Sequence, residues 1–319
     1  RRYKDMDLGN DQFPQEIGHK LPKKSNNDKR ARIFAMISNV DANIGRLFEK
    51  LAELSITDKT LVIFMVDNGP NGQRYVAGMR GAKSQVYEGG IRSPFFAHWP
   101  GRLKAGASSD RIAAHIDVLP TLLDACGVEP PSGVRLDGRS ILPLLEGRDV
   151  DWPDRTIYIQ AHRGNAPVRY HNFAAVGQDW ALLNASGFGR EQLPSPPQFE
   201  LYNMQADPLQ MNNVAGKYPG IVETMREAYD RWFDDVGSTR PDNYAPPRIH
   251  FGTPHENPVV MTRQDWRRTS DDSGWQPDSR GYWELFAAQA GRYDVTVMFR
   301  PRDFAETLSL TLGDVKSTA

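Results

Sequence analysis

The first strong pattern in the chain is an amphipathic stripe between residues 30 and 54. Its apolar positions lie mostly three or four residues apart, at Phe34, Ile37, Val40, Ile44, Leu47, Phe48, Leu51 and Leu54. That spacing puts them on one face of an α-helix. Residues 60–66 follow a short polar connection and are rich in apolar and β-branched side chains without alternation. Such a run predicts a strand buried on both faces of a parallel sheet, so that helix and strand form half of an α/β crossover unit.

Further elements continue this core and then change in character. Residues 94–99 predict a second strand, and residues 115–127 predict a helix that ends at Gly127, because glycine readily takes the left-handed backbone that closes a helix. Beyond about residue 150 the chain has short strand-like segments separated by Gly and Asn, at 156–160, 172–176, 180–184 and 201–202. With an amphipathic helix over 218–236, these segments predict a small α+β subdomain.

The C-terminal part differs again. Residues 240–258 are rich in proline and predict a linker. Short alternating strands at 281–285, 291–299 and 309–312 are typical of a β-sandwich, here incomplete. We therefore predict three parts: residues 1–150 as part of an α/β domain, 151–240 as the small subdomain, and 241–319 as a linker and a truncated β-sandwich-like domain. The first residue is Arg1 and not Met, and we expect a piece of a longer protein, cut at both ends.

Composition narrows the function classes. The 319 residues carry 39 Lys and Arg against 40 Asp and Glu, a formal net charge of −1. This balance argues against a general nucleic-acid binder, which would be clearly basic. No apolar run approaches the roughly 20 residues of a membrane helix. The one cysteine, Cys126, excludes an internal disulfide and an all-cysteine metal site, and we expect it in the core near a helix end.

The best candidate for chemistry is the pair Asp67-Asn68, which follows the predicted strand directly. In open α/β sheets, ligands bind outside the carboxyl ends of the strands. A carboxylate beside an amide carbonyl offers hard oxygen ligands of the kind that Ca²⁺ and Mg²⁺ prefer. The same residues with Gly69 and Pro70 also suit a simple turn. Spacing alone leaves the metal site and the turn as alternatives.

A second candidate is Lys83, which lies in a glycine-rich segment over residues 78–94. A lysine held on a tight loop near a cation site can serve as a point charge for a tetrahedral anion. The alternative is a surface loop with a solvated lysine. In the same segment, Arg92 is expected to form a structural ion pair with Glu88.

The order of these motifs is similar to that of the sulfatases, of the arylsulfatase type within the alkaline-phosphatase-like superfamily. Residues 36–143 resemble the C-terminal half of the catalytic domain, and the resemblance extends over about 30–237. It rests on these segments: Val40-Asp41-Ala42-Asn43-Ile44-Gly45-Arg46-Leu47, Phe64-Met65-Val66-Asp67-Asn68-Gly69, Gly81-Ala82-Lys83 with Glu88-Gly89-Gly90-Ile91-Arg92-Ser93-Pro94, Trp99-Pro100-Gly101, His115-Ile116-Asp117-Val118-Leu119-Pro120-Thr121-Leu122-Leu123, and Asp137-Gly138-Arg139-Ser140. Further on, Glu200-Leu201-Tyr202-Asn203-Met204, Asp207-Pro208 and Asn212-Asn213 resemble the family's small C-terminal subdomain. Asp-Asn-Gly alone is a weak signal, whereas the ordered set is specific.

The resemblance implies a site that this chain holds only in part. It implies that Asp67 and Asn68 ligate one divalent cation, most commonly Ca²⁺, and that Lys83 is catalytic and contacts the sulfate and the leaving oxygen. The family's nucleophile is a formylglycine made from the Cys or Ser of a Cys/Ser-x-Pro-Ser-Arg motif, and this sequence has no such motif. The family's early Asp pair and its Pro-His-x-Pro histidine are missing as well. We therefore expect the full protein to hydrolyse sulfate esters and this chain alone to be inactive.

Other residues are weighed for substrate contact. His162 and Arg163 follow a predicted strand of the small subdomain, which in sulfatases can border the substrate cleft; we interpret them as candidates for binding a sulfated small molecule or sulfated carbohydrate, with loop structure as the alternative. His115 is expected to be a buried, hydrogen-bonded structural histidine. No nucleic acid or transmembrane segment is expected. The family suggests a periplasmic or secreted location, which the sequence does not test.

Two other functions stay open. The first is a phosphatase, phosphodiesterase or phosphonate hydrolase of the same superfamily. Many of these use two metals and place a histidine beside the strand-end acid, whereas Asn68 follows Asp67 here. The second is a non-catalytic scaffold for a glycan-binding β-sandwich, in which the aromatic residues of the tail stack on sugars. Packing among themselves is the favoured role of those aromatic residues.

Overall fold

The computed structural model describes residues 2–161, 167–187, 196–239, 248–268, 281–298, 309–312 and 315–318. It divides into two units, residues 1–245 and 246–319. The first unit contains all five described helices and six strands: α1 (Asn27–Glu53), β1 (Val62–Met65), α2 (Glu88–Ile91), β2 (Phe95–His98), α3 (Val118–Cys126), α4 (Leu142–Leu145), β3 (Ile157–Gln160), β4 (Phe173–Val176), β5 (Trp180–Asn184), β6 (Glu200–Asn203) and α5 (Pro219–Ser238). Among the described residues, no helix is both long and apolar enough to cross a membrane.

The predicted first helix is confirmed as α1. The Asn26 side chain accepts a hydrogen bond from the backbone N–H of Lys29 and caps its start. Half of the apolar stripe is nevertheless open to solvent, at Ile37, Val40, Leu47 and Leu54. Amphipathic spacing therefore predicted the helix correctly, while this chain covers only part of the apolar face.

The strand after α1 forms, but its predicted environment is wrong. β1 pairs antiparallel with β2, with Val62 opposite His98 and Met65 opposite Phe95. These two strands form a sheet of their own, and Met65 is exposed. An apolar, β-branched run does not reveal the direction of its neighbour, and the glycine-rich loop returns the chain beside β1 in the opposite direction.

The small subdomain is confirmed as an antiparallel sheet of order β3-β4-β5-β6 packed by α5. One face of the sheet buries Phe173 against Tyr229 of α5, with ring centroids 4.1 Å apart. The opposite face carries Ala174 and Leu183, and it packs against Val86 from the glycine-rich loop. Since successive strand residues face opposite sides, the sheet holds its own helix on one face and the loop that contains Lys83 on the other.

The end of α3 and the position of His98 complete the description of the first unit. α3 ends at Cys126 and is capped by Gly127, whose φ of +65° gives the expected left-handed conformation. Cys126 is exposed, so the expected core position is wrong: the last turn of α3 turns this side chain outward. His98 packs edge-on against Phe48, with centroids 5.2 Å apart.

The second unit contains short strands in pairs. They are β7 (Ile249–Phe251), β8 (Arg267–Arg268), β9 (Gly281–Tyr282), β10 (Leu285–Ala287), β11 (Ser309–Leu312) and β12 (Val315–Thr318), paired β7 with β10, β8 with β9 and β11 with β12. The predicted strand at 291–299 does not form over its described residues 291–298, because alternation alone supplies no pairing partner. Trp266 and Trp283 pack together, with centroids 6.1 Å apart, as expected for tail aromatics. The β-sandwich and the three domain boundaries stay predictions.

Candidate active site

Asp67 and Asn68 lie just beyond the end of β1. The backbone N–H of Asn68 donates to Asp67 Oδ1 over 2.9 Å, and the Asn68 side-chain amide donates to the carbonyl of Gly69 over 2.9 Å. These contacts form the turn that the sequence allowed. They also leave the Asn68 amide oxygen and Asp67 Oδ2 without a hydrogen bond in the described structure, and the Asp67 side chain is 75% exposed. The turn therefore presents two hard oxygen atoms to solvent.

Three hydrogen bonds fix the backbone on either side of this pair. His115 Nε2 lies 2.9 Å from the carbonyl oxygen of Val66. The N–H of Gly69 donates to the carbonyl of Gly90 over 2.8 Å, and the N–H of Lys83 donates to the carbonyl of Pro70 over 2.9 Å. The segment 66–70 is therefore tied to the loop that carries Lys83 and to the turn before α3.

Close backbone approach explains the glycines of this region. A Cβ atom on Gly69 would lie 2.0 Å from the carbonyl oxygen of Gly89, and one on Gly90 would lie 2.1 Å from that of Gln85. No side chain fits at these distances. The glycine-rich segment thus packs its backbone directly against the strand-end turn, which is the reason for glycine at these positions.

Lys83 comes to the strand end, as the glycine-rich segment after Asp67 suggested. Its Nζ lies 4.0 Å from Asp67 Oδ2, and its side chain is 48% exposed. The next residue, Ser84, has a φ of +72°, and its carbonyl accepts from the side chain of Asn172 over 3.1 Å. The lysine is therefore held by backbone contacts on both sides, while its charged end stays accessible.

A charged and aromatic network locks the loop to the subdomain sheet. The Arg80 guanidinium lies over the Tyr87 ring at 3.9 Å, and Arg80 Nη1 donates to the Tyr202 hydroxyl over 3.1 Å. The Tyr87 and Tyr202 hydroxyls both donate to Glu200, the former over 2.7 Å. Burial and then the hydrogen bond to Glu200 raise the pKa of Tyr87, which keeps it a donor. Sequence reasoning missed this network, because no local pattern links positions about 120 residues apart.

The expected ion pair of Arg92 with Glu88 is confirmed, with Arg92 Nη1 3.8 Å from Glu88 Oε2. Burial raises the pKa of Glu88, and the Arg92 charge acts in the opposite direction. The backbone N–H of Glu88 donates to the Gln210 side chain over 2.9 Å. Both contacts hold α2 in place, so the charges of Glu88 and Arg92 have a structural role.

Asp117 anchors the turn before α3. Its carboxylate accepts from the N–H groups of Ala114 over 2.8 Å and Arg139 over 2.9 Å, and from both terminal nitrogens of Arg155. The Asp117 side chain is 1% exposed and that of Arg155 is 9% exposed. The turn that carries His115 is therefore rigidly built. His115 is hydrogen-bonded as expected, but it is exposed, so its predicted burial is wrong.

The donor chemistry of Asp67 and Asn68 fits a hard divalent cation but does not complete its shell. Ca²⁺ takes about 6–8 oxygen ligands. No group of three or more His, Cys, Asp or Glu side chains able to hold a metal occurs among the residues that the structure describes. Among the described residues, Asp67 and Asn68 thus offer two adjacent oxygen donors. His162 and Arg163 lie outside the described residues, and their predicted contact with substrate stays a prediction.

Comparison with known proteins finds similarity to sulfatases. A family model described as "Sulfatase" matches residues 7–128, and one described as "N-sulphoglucosamine sulphohydrolase, C-terminal" matches residues 82–232. N-acetylglucosamine-6-O-sulfatase of Bacteroides thetaiotaomicron is 31% identical over 192 residues, which is 58% of this chain and 31% of the relative. Human arylsulfatase A is 28% identical over 235 residues, 67% of this chain and 45% of the relative. The chain thus spans less than half the length of these relatives.

A solved structure shows the same fold. The crystal structure of yidJ from Bacteroides fragilis aligns with a TM-score of 0.54 at 22% identity, covering 77% of this chain and 52% of that one. The residues matched by the family models include the strand end with Asp67 and Asn68 and the loop with Lys83. The two family models overlap and together match residues 7–232, so over this range the chain is similar to the sulfatases.

Proposed function

We propose that the complete protein hydrolyses sulfate esters and that this chain supplies one side of its active site. The observation that carries the proposal is the 4.0 Å approach of Lys83 Nζ to Asp67 Oδ2 beyond β1. Two residues sixteen positions apart are brought together there, with the Asn68 amide oxygen beside them. In the reaction, the bond from sulfur to the alcohol oxygen breaks, water supplies the new oxygen on sulfur, and the alcohol leaves with a proton.

Asp67 and Asn68 would hold one divalent cation, with Ca²⁺ favoured by their oxygen atoms. When bound, the cation supplies positive charge against the sulfate oxygens. Asp67 also has a role toward Lys83, since its carboxylate lies within ion-pair distance of the ammonium. That contact directs the ammonium of Lys83 to the strand end.

Lys83 would act on the substrate as a fixed positive charge. Its ammonium carries three donors and no acceptor, so it suits sulfate oxygens and the oxygen of the departing alcohol. Stabilisation of the charge that develops in the transition state commonly contributes more to the rate than any other effect. The side chain is half exposed and its backbone is fixed, so it can meet a substrate without reorganising its loop.

The nucleophile would come from a segment outside these 319 residues. A formylglycine supplies attack on sulfur in the family, and the motif that produces one is not in this sequence. The open apolar surface supports the idea that further chain packs here: Ile37 of α1 is 58% exposed and Phe96 of β2 is 65% exposed. Apolar patches of this kind mark surfaces that a partner covers. We therefore propose that the chain alone does not turn over sulfate esters.

A sulfated carbohydrate is the substrate class we favour. Bacteroides thetaiotaomicron N-acetylglucosamine-6-O-sulfatase, which is 31% identical, takes its name from a sulfated amino sugar. Specificity in this fold depends on loops and not on the core. His162 and Arg163, which follow β3 in the sequence, are the residues we propose for contact with the sugar.

The test is sulfate release by the complete protein from 4-nitrophenyl sulfate and from N-acetylglucosamine 6-sulfate, with 4-nitrophenyl phosphate in parallel. Lys83→Ala should lower sulfate turnover about 10²–10³-fold with folding intact, as for loss of one transition-state donor. Lys104→Ala removes an exposed lysine outside the candidate site and should leave the rate unchanged. Near-normal turnover in Lys83→Ala would reject the role of this lysine, and faster release of phosphate than of sulfate would favour the phosphatase alternative.

A further inference from the structure

His115 contacts the backbone immediately before the proposed cation ligands. Its Nε2 lies 2.9 Å from the carbonyl oxygen of Val66. A carbonyl only accepts hydrogen bonds, so Nε2 is the protonated nitrogen of this ring. Val66 precedes Asp67, and the imidazole therefore fixes the peptide from which the first ligand projects.

The ligand pair itself is held weakly. Asp67 makes its described hydrogen bond to its own neighbour, the N–H of Asn68, and its ion-pair contact to Lys83 is 4.0 Å long. The described hydrogen bond of the Asn68 side chain likewise goes to the adjacent Gly69. Contacts between adjacent residues do not orient a turn relative to the rest of the fold. That orientation has to come from the backbone bonds on either side.

Three such bonds exist in the described structure, and they differ in kind. Those of Gly69 to Gly90 and of Lys83 to Pro70 join backbone to backbone and persist after any side-chain change. The bond to Val66 comes from a side chain. It is also the bond that holds the backbone before Asp67, between the end of β1 at Met65 and the ligand pair.

The histidine is itself firmly placed. It starts a 3-10 turn over His115–Asp117, and Asp117 closes that turn by accepting from the N–H of Ala114 over 2.8 Å. The bidentate contact of Arg155 holds Asp117 in turn. A Cβ atom on Gly138 would lie 1.9 Å from the carbonyl oxygen of Ile116, so a neighbouring loop also packs directly on this turn. Because its turn is held in this way, the His115 imidazole can fix the position of the Val66 carbonyl.

We propose that His115 is a positioning residue for the cation ligands Asp67 and Asn68. The inference rests on the proposed function, since it takes the cation to bind there. Outer contacts that orient metal ligands raise affinity because the ligands need not be ordered on binding. His115 does this through the backbone, without touching the cation or the substrate.

The experiment measures Ca²⁺ affinity of the complete protein by calorimetry after chelator treatment, with the melting temperature of each apo protein. His115→Ala should weaken Ca²⁺ binding about 10–100-fold, as for loss of a contact that orients a ligand. His115→Gln places an amide N–H at a similar reach and should recover most of that loss. His98→Ala is the matched control. The His98 ring packs on Phe48, at the end of the β1–β2 sheet away from Asp67, so the Ca²⁺ affinity of this variant should equal that of the wild type.

The possible results separate the two proposals. If Asp67→Ala abolishes Ca²⁺ binding while His115→Ala binds Ca²⁺ like the wild type, the positioning role is wrong and the cation site stands. The same conclusion follows if His115→Ala and His98→Ala lose affinity equally, since the effect is then general destabilisation. If Asp67→Ala binds Ca²⁺ as the wild type does, both the proposed cation site and the role of His115 fall.

Discussion

Removal of the Asp117 carboxylate tests how the first unit is held together. In Asp117→Ala, Arg155 keeps a charge at 9% side-chain exposure with no counter-ion, and the N–H groups of Ala114 and Arg139 lose their acceptor. Breaking a buried ion pair by removing one partner costs about 3–5 kcal/mol. The total stability of a domain is about 5–15 kcal/mol, so this one change should remove at least about a fifth of it.

The assay is urea unfolding of the full chain. Far-UV circular dichroism monitors the transition, because it reports the helices of the first unit. Asp117→Ala should lower the transition midpoint strongly, and Asp117→Asn should lower it less, because its amide oxygen still accepts from a backbone N–H. Asp149→Ala is the control, since Asp149 is exposed and surface substitutions commonly change stability by less than about 0.5 kcal/mol. A loss below about 1 kcal/mol in Asp117→Ala would refute the reasoning that this ion pair anchors the fold.

The same residue predicts a pH dependence. Burial by itself would raise the pKa of Asp117, but the hydrogen bonds from Arg155, Arg139 and Ala114 outweigh it and hold the pKa below its usual value. An acid with a lowered folded-state pKa contributes stability that is fully present above its unfolded pKa of about 3.9 and is lost as pH falls through the folded value. Below about pH 4, the free energy of unfolding of the wild type should therefore decrease with falling pH more steeply than that of Asp117→Asn. Equal slopes would mean that other groups dominate the acid transition.

Two further predictions concern the strand-end turn. In the complete protein, Asp67→Ala should abolish the rise in melting temperature that Ca²⁺ gives the wild type, while Asp149→Ala should keep it; a rise equal to that of the wild type in Asp67→Ala would place the cation elsewhere. Gly69→Ala should lower the melting temperature and weaken Ca²⁺ binding together, because its Cβ would meet the carbonyl of Gly89 at 2.0 Å. Unchanged values for both in Gly69→Ala would show that the loop and the turn separate easily.

Much of the local structure was predictable, for reasons visible in particular residues. The stripe from Phe34 to Leu51 specifies α1 by its period, and Gly127 specifies the end of α3 by its backbone freedom. The strand Trp180–Asn184 forms with the predicted bounds. The strands β3 and β4 of the same sheet form within one residue of their predicted bounds. Periodicity and turn chemistry are properties of adjacent residues, so a sequence displays them directly.

The environment of β1 was not predictable in this way. An apolar run says that a strand needs burial, not which strand lies beside it, and the parallel neighbour was wrong. The tail fails for a similar reason, since residues 291–298 alternate without pairing. The motif order predicted that Asp67, Asn68 and Lys83 share one site. Lys83 Nζ does lie 4.0 Å from Asp67 Oδ2, while the site and the chemical roles of its residues stay predictions.

The sequence by itself determined the helices α1, α3 and α5, the strands of the first unit and the similarity to the sulfatases, because these depend on local period and on an ordered set of motifs. Only the tertiary structure decided that His115 holds the backbone before Asp67, that Asp117 and Arg155 support His115, and that Glu200 binds the loop of Lys83 to the subdomain sheet. These contacts join residues 38–113 positions apart. Hydrogen bonds between such distant residues depend on how the chain folds back on itself, and no pattern among neighbouring residues records that path.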